Sequence, residues 1–160
     1  MKGKPEVLAT LSEMLKEELA AINQYILHAE MCDNWGYKRL AGFTKKEAIG
    51  EMKHAEWLIE RILFLEGMPK MDEMGKLSIG KDVPQQLKND LTLEKAAVGA
   101  YNRAIETCRK AGDNATADFL KEILKDEEEH VDRLETQLGL IEQLGLQNYL
   151  SQQLEEEEKD

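Results

Sequence analysis

Residues 18–36 read ELAAINQYILHAEMCDNWG, and residues 94–112 read EKAAVGAYNRAIETCRKAG. The second stretch repeats the first at a lag of 76 residues. Extended outward, the comparison finds 17 identities within residues 1–66, where chance at ordinary composition gives about 4–5. The pairs include Val7/Val83, Leu11/Leu87, Glu18/Glu94, Tyr25/Tyr101, Cys32/Cys108, Gly36/Gly112, Phe43/Phe119, Glu51/Glu127, His54/His130 and Leu58/Leu134. Helical periodicity alone accounts for paired leucines. It accounts poorly for paired Tyr, Cys, Gly, Phe and His. Beyond residue 66 the repeat stops, so residues 67–82, with Gly67, Pro69, Gly75 and Gly80, read as a connection between two similar halves.

Each half reads as a helical hairpin. Valine occurs four times and proline three, while Leu, Glu, Lys, Ala and Gln are abundant, a helix-forming balance. No sustained polar–apolar alternation suggests a strand. The first helix is expected from Pro5 to Asn34, with Val7, Leu8, Leu11, Leu15, Leu19, Ile22 and Ile26 as its apolar stripe. The second runs from about Tyr37 to Leu65. The third opens near Asp82, a candidate N-cap with Pro84 in the first turn, and stops at Ala111-Gly112. The fourth covers Asp113 to Leu138 or slightly beyond, and Gly145 precedes a short fifth helix over 146–154. A 16-residue linker spans at most about 53 Å, and a 28-residue helix is about 42 Å long. The linker can therefore run the length of the molecule. The expected fold is all-α: a four-helix bundle with one long crossover and a short C-terminal helix. Residues 1–154 form one domain in this reading, and 155–160 are an acidic, frayed tail.

The chain has 160 residues and a net charge of −11, from 32 acids against 21 bases. Such a surface is a poor partner for nucleic acid, which must be neutralised by Lys and Arg, and a better one for cations. No apolar run approaches the roughly 20 residues of a membrane span. Residues 1–6 lack the apolar block of a secretory signal, so the cytoplasm is the default expectation.

Two of the three histidines, His54 and His130, close a Glu-x-x-His motif, Glu51-Met52-Lys53-His54 and Glu127-Glu128-Glu129-His130. Positions i and i+3 share a helix face and can grip one cation. With 23 Glu in the chain, either motif alone could be a solvated face. The turn glycines strengthen the reading. Glu18 lies 18 residues before Gly36 and His54 lies 18 after it; Glu94 and His130 stand in the same relation to Gly112. Each lone Glu thus meets its Glu-x-x-His at one height, near the middle of the bundle. Glu18 sits among Leu15, Leu19 and Ile22. A carboxylate buried in such a stripe costs on the order of several kcal/mol unless it is paired or bound to metal. Four carboxylates and two imidazoles, without thiolate, suit iron or manganese better than a closed zinc site. The set matches the di-iron carboxylate bundles: Glu51 and Glu127 bridging, Glu18 with His54 on one metal, Glu94 with His130 on the other. Tyr25 shares the face of Glu18 and is a candidate supporting residue or electron donor, or a core Tyr bonded to a carbonyl; Tyr101 is its repeat mate.

At this point the sequence resembles the bacterioferritins over nearly its whole length. The stretches that carry the resemblance are ELAAINQY (18–25), EMKH (51–54), RILFLEG (61–67), DEEEH (126–130) and GLQNYL (145–150). The resemblance implies a cytoplasmic shell of 24 subunits built from two-fold dimers, with a ferroxidase centre in each subunit. Iron(II) is oxidised by oxygen or hydrogen peroxide and stored as a ferric mineral, so the chain is expected to be an enzyme. It implies a b-type haem for each subunit pair, held by Met52 from both subunits, and a bacterioferritin-associated ferredoxin as partner for iron release. Met52 lies about 100° around the helix from Glu51, on the side of Lys45, Ile49, Glu56 and Ile59. Where some bacterioferritins place a His and an Asp for an inner-surface iron, this chain has Lys46 and Gly50, and that third site is not expected. The repeat mate of Gly50 is Asp126, a candidate support for a ligand histidine. The first half lacks its counterpart, so the two metal positions are expected to differ. Glu47, one turn before Glu51, is expected to face solvent rather than line an access route.

Two other classes remain open: a haem electron carrier merely stabilised by its carboxylates, and a di-iron oxidase that stores nothing. Six ligands at one level argue against the first, and the short helix after Gly145, which the storage family uses to line shell channels, argues against the second. Cys32 and Cys108 are expected at opposite ends of the bundle, roughly 42 Å apart, and not in a disulfide.

Overall fold

The computed structural model describes residues 1–155. Four long helices, α1 (Pro5–Asn34), α2 (Lys38–Phe64), α3 (Val83–Lys110) and α4 (Asn114–Leu144), are followed by a short α5 (Leu146–Ser151), with no strand among the described residues. The two hairpin turns are built alike. Gly36 (φ +92°) and Gly112 (φ +76°) adopt the left-handed conformation that L side chains avoid. Past each glycine, an amide returns to the carbonyl of the paired cysteine: Tyr37 N–H to Cys32 O and Asp113 N–H to Cys108 O, both at 2.9 Å. Asp82 and Asp113 cap α3 and α4, accepting from Gln85 N–H at 2.9 Å and Thr116 N–H at 3.0 Å.

Pairings between the halves set the helix directions. Tyr25 reaches Glu94, and Tyr101 reaches Glu18, so α1 and α3 are antiparallel. Glu47 meets Arg133 and Arg61 meets Thr116, so α2 and α4 are antiparallel as well. The two hairpins then leave α2 and α3 parallel, and the connection between them must travel the bundle. It does so along α1. Gly67 lies against Leu8, Gly75 beside Glu17 and Ala20, and Ser78 N–H donates to Gln24 Oε1 at 3.1 Å. At the far end Gly80 N–H donates to His28 Nε2 at 3.0 Å, while His28 Nδ1 and Gln24 Nε2 both contact Asp90 Oδ1. His28, the histidine outside the motif, is therefore a latch for the crossover.

The cysteines end in separate apolar clusters. Cys108 packs with Val7, Leu11 and Leu120, and Cys32 with Leu40, Leu87 and Tyr149; both thiols are free. The last two helices differ from the expected bounds. α4 continues six residues past Leu138, because Leu138, Leu140 and Ile141 pack on the cluster around Tyr149, and it stops only at Gly145 (φ +80°). α5 ends at Ser151. Beyond Glu155, the acidic tail lies outside the described residues.

Candidate metal centre

The bundle brings the six expected side chains together. α1 contributes Glu18, α2 Glu51 and His54, α3 Glu94, and α4 Glu127 and His130, and all six are buried. They form two overlapping groups, Glu18–Glu51–His54–Glu127 and Glu51–Glu94–Glu127–His130, in each of which one oxygen or nitrogen per residue lies within 4.8 Å of the others. Glu51 and Glu127 belong to both. His54 Nδ1 lies 2.9 Å from Glu127 Oε1, 3.5 Å from Glu51 Oε2 and 3.6 Å from Glu18 Oε1. His130 Nδ1 lies 2.8 Å from Glu51 Oε1 and 3.2 Å from Glu94 Oε1. The rings stand 6.1 Å apart.

As a protein core this arrangement is poor. Glu51 is 0 % exposed, yet neither of its oxygens makes a hydrogen bond. Glu18 Oε2, Glu94 Oε2, Glu127 Oε1 and His54 Nδ1 are buried without one as well. Burial, then repulsion from Glu18, raises the Glu51 carboxyl well above its ordinary range; burial, then Glu51 and Glu18, does the same to Glu127. Burial also acts upward on Glu94, but hydrogen bonds with Glu127 and His130 outweigh it and hold that carboxyl at about 2. Burial disfavours both imidazolium ions, but the surrounding carboxylates overcome it and raise His54 and His130, through contacts led by Glu127 and Glu94 respectively. Unpartnered lone pairs and crowded carboxylates at one point are what a bound cation relieves.

The groups behind the six are as ordered as the six themselves. Tyr101 O–H donates to Glu18 Oε1 and Tyr25 O–H to Glu94 Oε1, each at 2.5 Å. Each lone Glu therefore has Oε1 held by a tyrosine and Oε2 free. The Tyr25 hydroxyl donates to Glu94 rather than to a backbone carbonyl or to Glu18 of its own helix; the antiparallel crossing of α1 and α3 swaps the pairing. Asp126 Oδ2 accepts from His54 Nε2 at 3.0 Å. Two expectations need correction. Glu47 does not face solvent: it is buried, with Oε2 3.1 Å from His130 Nε2 and both oxygens held by Arg133. Each imidazole is thus backed by a carboxylate from the opposite half: Asp126 of α4 stands behind His54 of α2, and Glu47 of α2, one turn before Glu51, stands behind His130 of α4. Glu47 could have been found as the residue four before Glu51 and seven before His54, on their helix face. Arg133 has no such signal, since only tertiary packing brings it to Glu47.

Lys46 and Gly50 line a cavity of about 480 Å³ on the outer side of the two histidines, shared with Lys53, Trp57, Asp126 and Arg133. Neither Lys46 nor Gly50 offers an imidazole or carboxylate there. Met52 points away from the cluster and is 44 % exposed, as are its fellow apolar residues Ile49 on α2 (45 %) and Ile26 on α1 (43 %).

Comparison with known proteins agrees with this architecture. The profile of the ferritin-like domain matches residues 8–144. The bacterioferritin of Mycolicibacterium paratuberculosis is 45 % identical over 152 residues, covering 95 % of this chain and 96 % of that protein. Bacterioferritin BfrA of Mycobacterium tuberculosis gives the same figures, 45 % over 152 residues with 95 % and 96 % covered. The bacterioferritin of Streptomyces coelicolor is 43 % identical over 160 residues, covering all of this chain and 96 % of its own. With a ferritin-like profile over most of its length and this level of identity to bacterioferritins along nearly all of it, the chain belongs to the bacterioferritin family.

Proposed function

We propose that the protein stores iron and that each subunit is a ferroxidase, oxidising iron(II) with oxygen or hydrogen peroxide before the ferric product is laid down as mineral. The observation that carries this reading is the pair of overlapping four-residue groups joined by Glu51 and Glu127. Two positions that share ligands hold two cations close together, about 3.5–4 Å apart in such sites. Two neighbouring iron(II) ions supply the two electrons that reduce dioxygen to peroxide, or peroxide to water. Iron is thus substrate and cargo.

The chain's own groups have distinct tasks in this reading. Glu18 and Glu94 present Oε2 to the metal while Tyr101 and Tyr25 fix Oε1. Asp126 and Glu47 hold Nε2 of the two imidazoles and so turn Nδ1 inward. Glu51 and Glu127, hard to ionise in the metal-free core, release their protons when iron arrives, so uptake weakens as pH falls. Tyr25, at 2.5 Å from Glu94, is placed to give an electron if one iron alone is oxidised.

The exposed strip around Met52 fits a haem. A thioether is a soft ligand for haem iron, the exposed Ile49 one turn earlier on α2 supplies apolar surface beside it, and one Met per subunit calls for two subunits around one group. Bound there, haem supplies one-electron transfer, which serves reductive release of stored iron with a bacterioferritin-associated ferredoxin as donor. The family's shell of 24 subunits and its cytoplasmic setting complete the proposal; no described helix is long and apolar enough to cross a membrane.

Size-exclusion mass measured with iron loading tests the storage reading. An assembly near twenty-four times 18.3 kDa that retains ferric iron supports it. A monomer or dimer that turns over iron(II) and retains none rejects storage in favour of a di-iron oxidase.

A further inference from the structure

The two imidazoles are anchored unequally. His54 relies on Asp126, whose side chain is 46 % exposed. His130 relies on Glu47, whose side chain is 5 % exposed and is gripped by a guanidinium: Arg133 Nε donates to Oε1 at 2.9 Å and Nη2 to Oε2 at 3.2 Å. The remaining nitrogen of Arg133, Nη1, approaches Glu129 Oε2 at 3.6 Å. Among the described residues no arginine pairs with Asp126.

We propose that Arg133 is a positioning residue for the iron position built on Glu94 and His130, acting through Glu47. The inference rests on reading the six-residue cluster as the iron site. His130 directs Nδ1 into that cluster, 2.8 Å from Glu51 and 3.2 Å from Glu94. As a neutral ligand it must carry its proton on Nε2, and that proton needs a fixed acceptor. Packing does not hold the ring on its outer side. Residue 50 is glycine, a Cβ there would stand 3.7 Å from Nε2, and the cavity of about 480 Å³ opens beside the ring. The imidazole has room to turn outward, and the Glu47 carboxylate is the group that holds it. The planar fork of Arg133 fixes both oxygens of that carboxylate in one plane, with Oε2 towards Nε2. His54 has no equivalent clamp. The His130 position is therefore the more tightly organised of the two, and its affinity depends on a residue that touches neither metal nor ligand.

The test is an anaerobic cobalt(II) titration of the full-length assembled protein, followed by ligand-field absorption, which should resolve two ions per subunit in the unaltered protein. Arg133→Met keeps the apolar stem and removes the fork. It should leave one cobalt at unchanged affinity and weaken the other about 10–100-fold, the usual effect of losing a partner behind a metal ligand. Glu47→Ala should do the same. The double variant should be no weaker than Glu47→Ala alone, because Arg133 acts only through that carboxylate. Arg133→Lys, with charge but no fork, should restore part of the loss, and Asp126→Ala should weaken the other position. Unchanged affinity in Arg133→Met, equal weakening of both positions, or losses that add to those of Glu47→Ala would each overturn the proposal. If Arg133→Met fails to fold by circular dichroism, Arg133→Lys decides: a weakened second ion supports the clamp, and two ions at unaltered affinity reject it. If the unaltered protein takes up no cobalt in the cluster, the ferroxidase reading itself fails and this inference with it, an outcome visible before any variant is made.

Discussion

Glu51→Met should make the metal-free protein more stable while abolishing its response to metal. Glu51 is fully buried, neither of its oxygens is hydrogen-bonded, and Glu18, Glu94 and Glu127 surround it. Replacing such a group by an apolar side chain of similar volume is neutral or stabilising by about 1–4 kcal/mol. For a chain of this size each kcal/mol moves Tm by about 2–4 °C, so the metal-free variant should melt up to about 16 °C higher. The gain should depend on pH. Burial and Glu18 raise the Glu51 carboxyl, and burial and Glu51 raise Glu127. Unfolded Glu titrates near 4.3 (about that of model peptides), so above that value the folded state holds protons that the unfolded state has lost. Stability then falls as pH rises towards the folded values. Glu94, held at about 2, has the opposite sign, with stability present above the ordinary value and lost only as pH drops towards 2. It leaves the trend above pH 5 unchanged. The variant's advantage should therefore widen as pH rises above about 5. Zinc at 100 times its dissociation constant should stabilise the unaltered protein by about 2.7 kcal/mol and the variant hardly at all, since Glu51 belongs to both metal positions. Differential scanning calorimetry with and without zinc, at one protein concentration, reads both effects. A metal-free variant that melts lower than the parent, or one that still gains fully from zinc, would refute the reasoning.

Glu18→Ala and Glu94→Ala should each slow the fast phase of iron(II) oxidation by orders of magnitude, followed by ferric absorbance, while circular dichroism stays helical; unchanged rates in both reject their role. Met52→Leu conserves volume and should cost less than about 1.5 kcal/mol, removing haem from the visible spectrum while leaving assembly and iron(II) oxidation intact; full haem stoichiometry would show that another residue is the ligand. The native protein should form no intrachain disulfide, and Cys32 and Cys108, pushed by burial up to about 12 and about 11, should react with thiol reagents only on unfolding. Mass spectrometry under non-reducing conditions checks both, and a Cys32–Cys108 bond would contradict the crossover topology.

The crossover was legible in the sequence because the repeat is broken by a segment long enough to run the bundle. The meeting of the six side chains was legible because Glu18, Glu94 and the two Glu-x-x-His motifs are counted from turn glycines, and helix rise converts that count into height. Other features were hidden by their tertiary character. The repeat mate of Glu47 is Ile123, so the symmetry that exposed the six gave no hint of it, and its burial is visible only once α4 brings His130 and Arg133 alongside. Tyr25 could be placed on the face of Glu18, but its choice of Glu94 follows from the antiparallel crossing of α1 and α3. The extra turns of α4 depend on Tyr149 folding back from α5 to receive Leu138 and Ile141.

Storage by this route requires that the six residues hold two irons at once. Anomalous diffraction at the iron edge, on crystals soaked anaerobically in iron(II), tests it most directly. Two peaks per subunit are expected about 3.5–4 Å apart, one between Glu18 and His54, the other between Glu94 and His130, with Glu51 and Glu127 reaching both. A single peak, or iron confined to the cavity outside the histidines while the cluster stays empty, would contradict it.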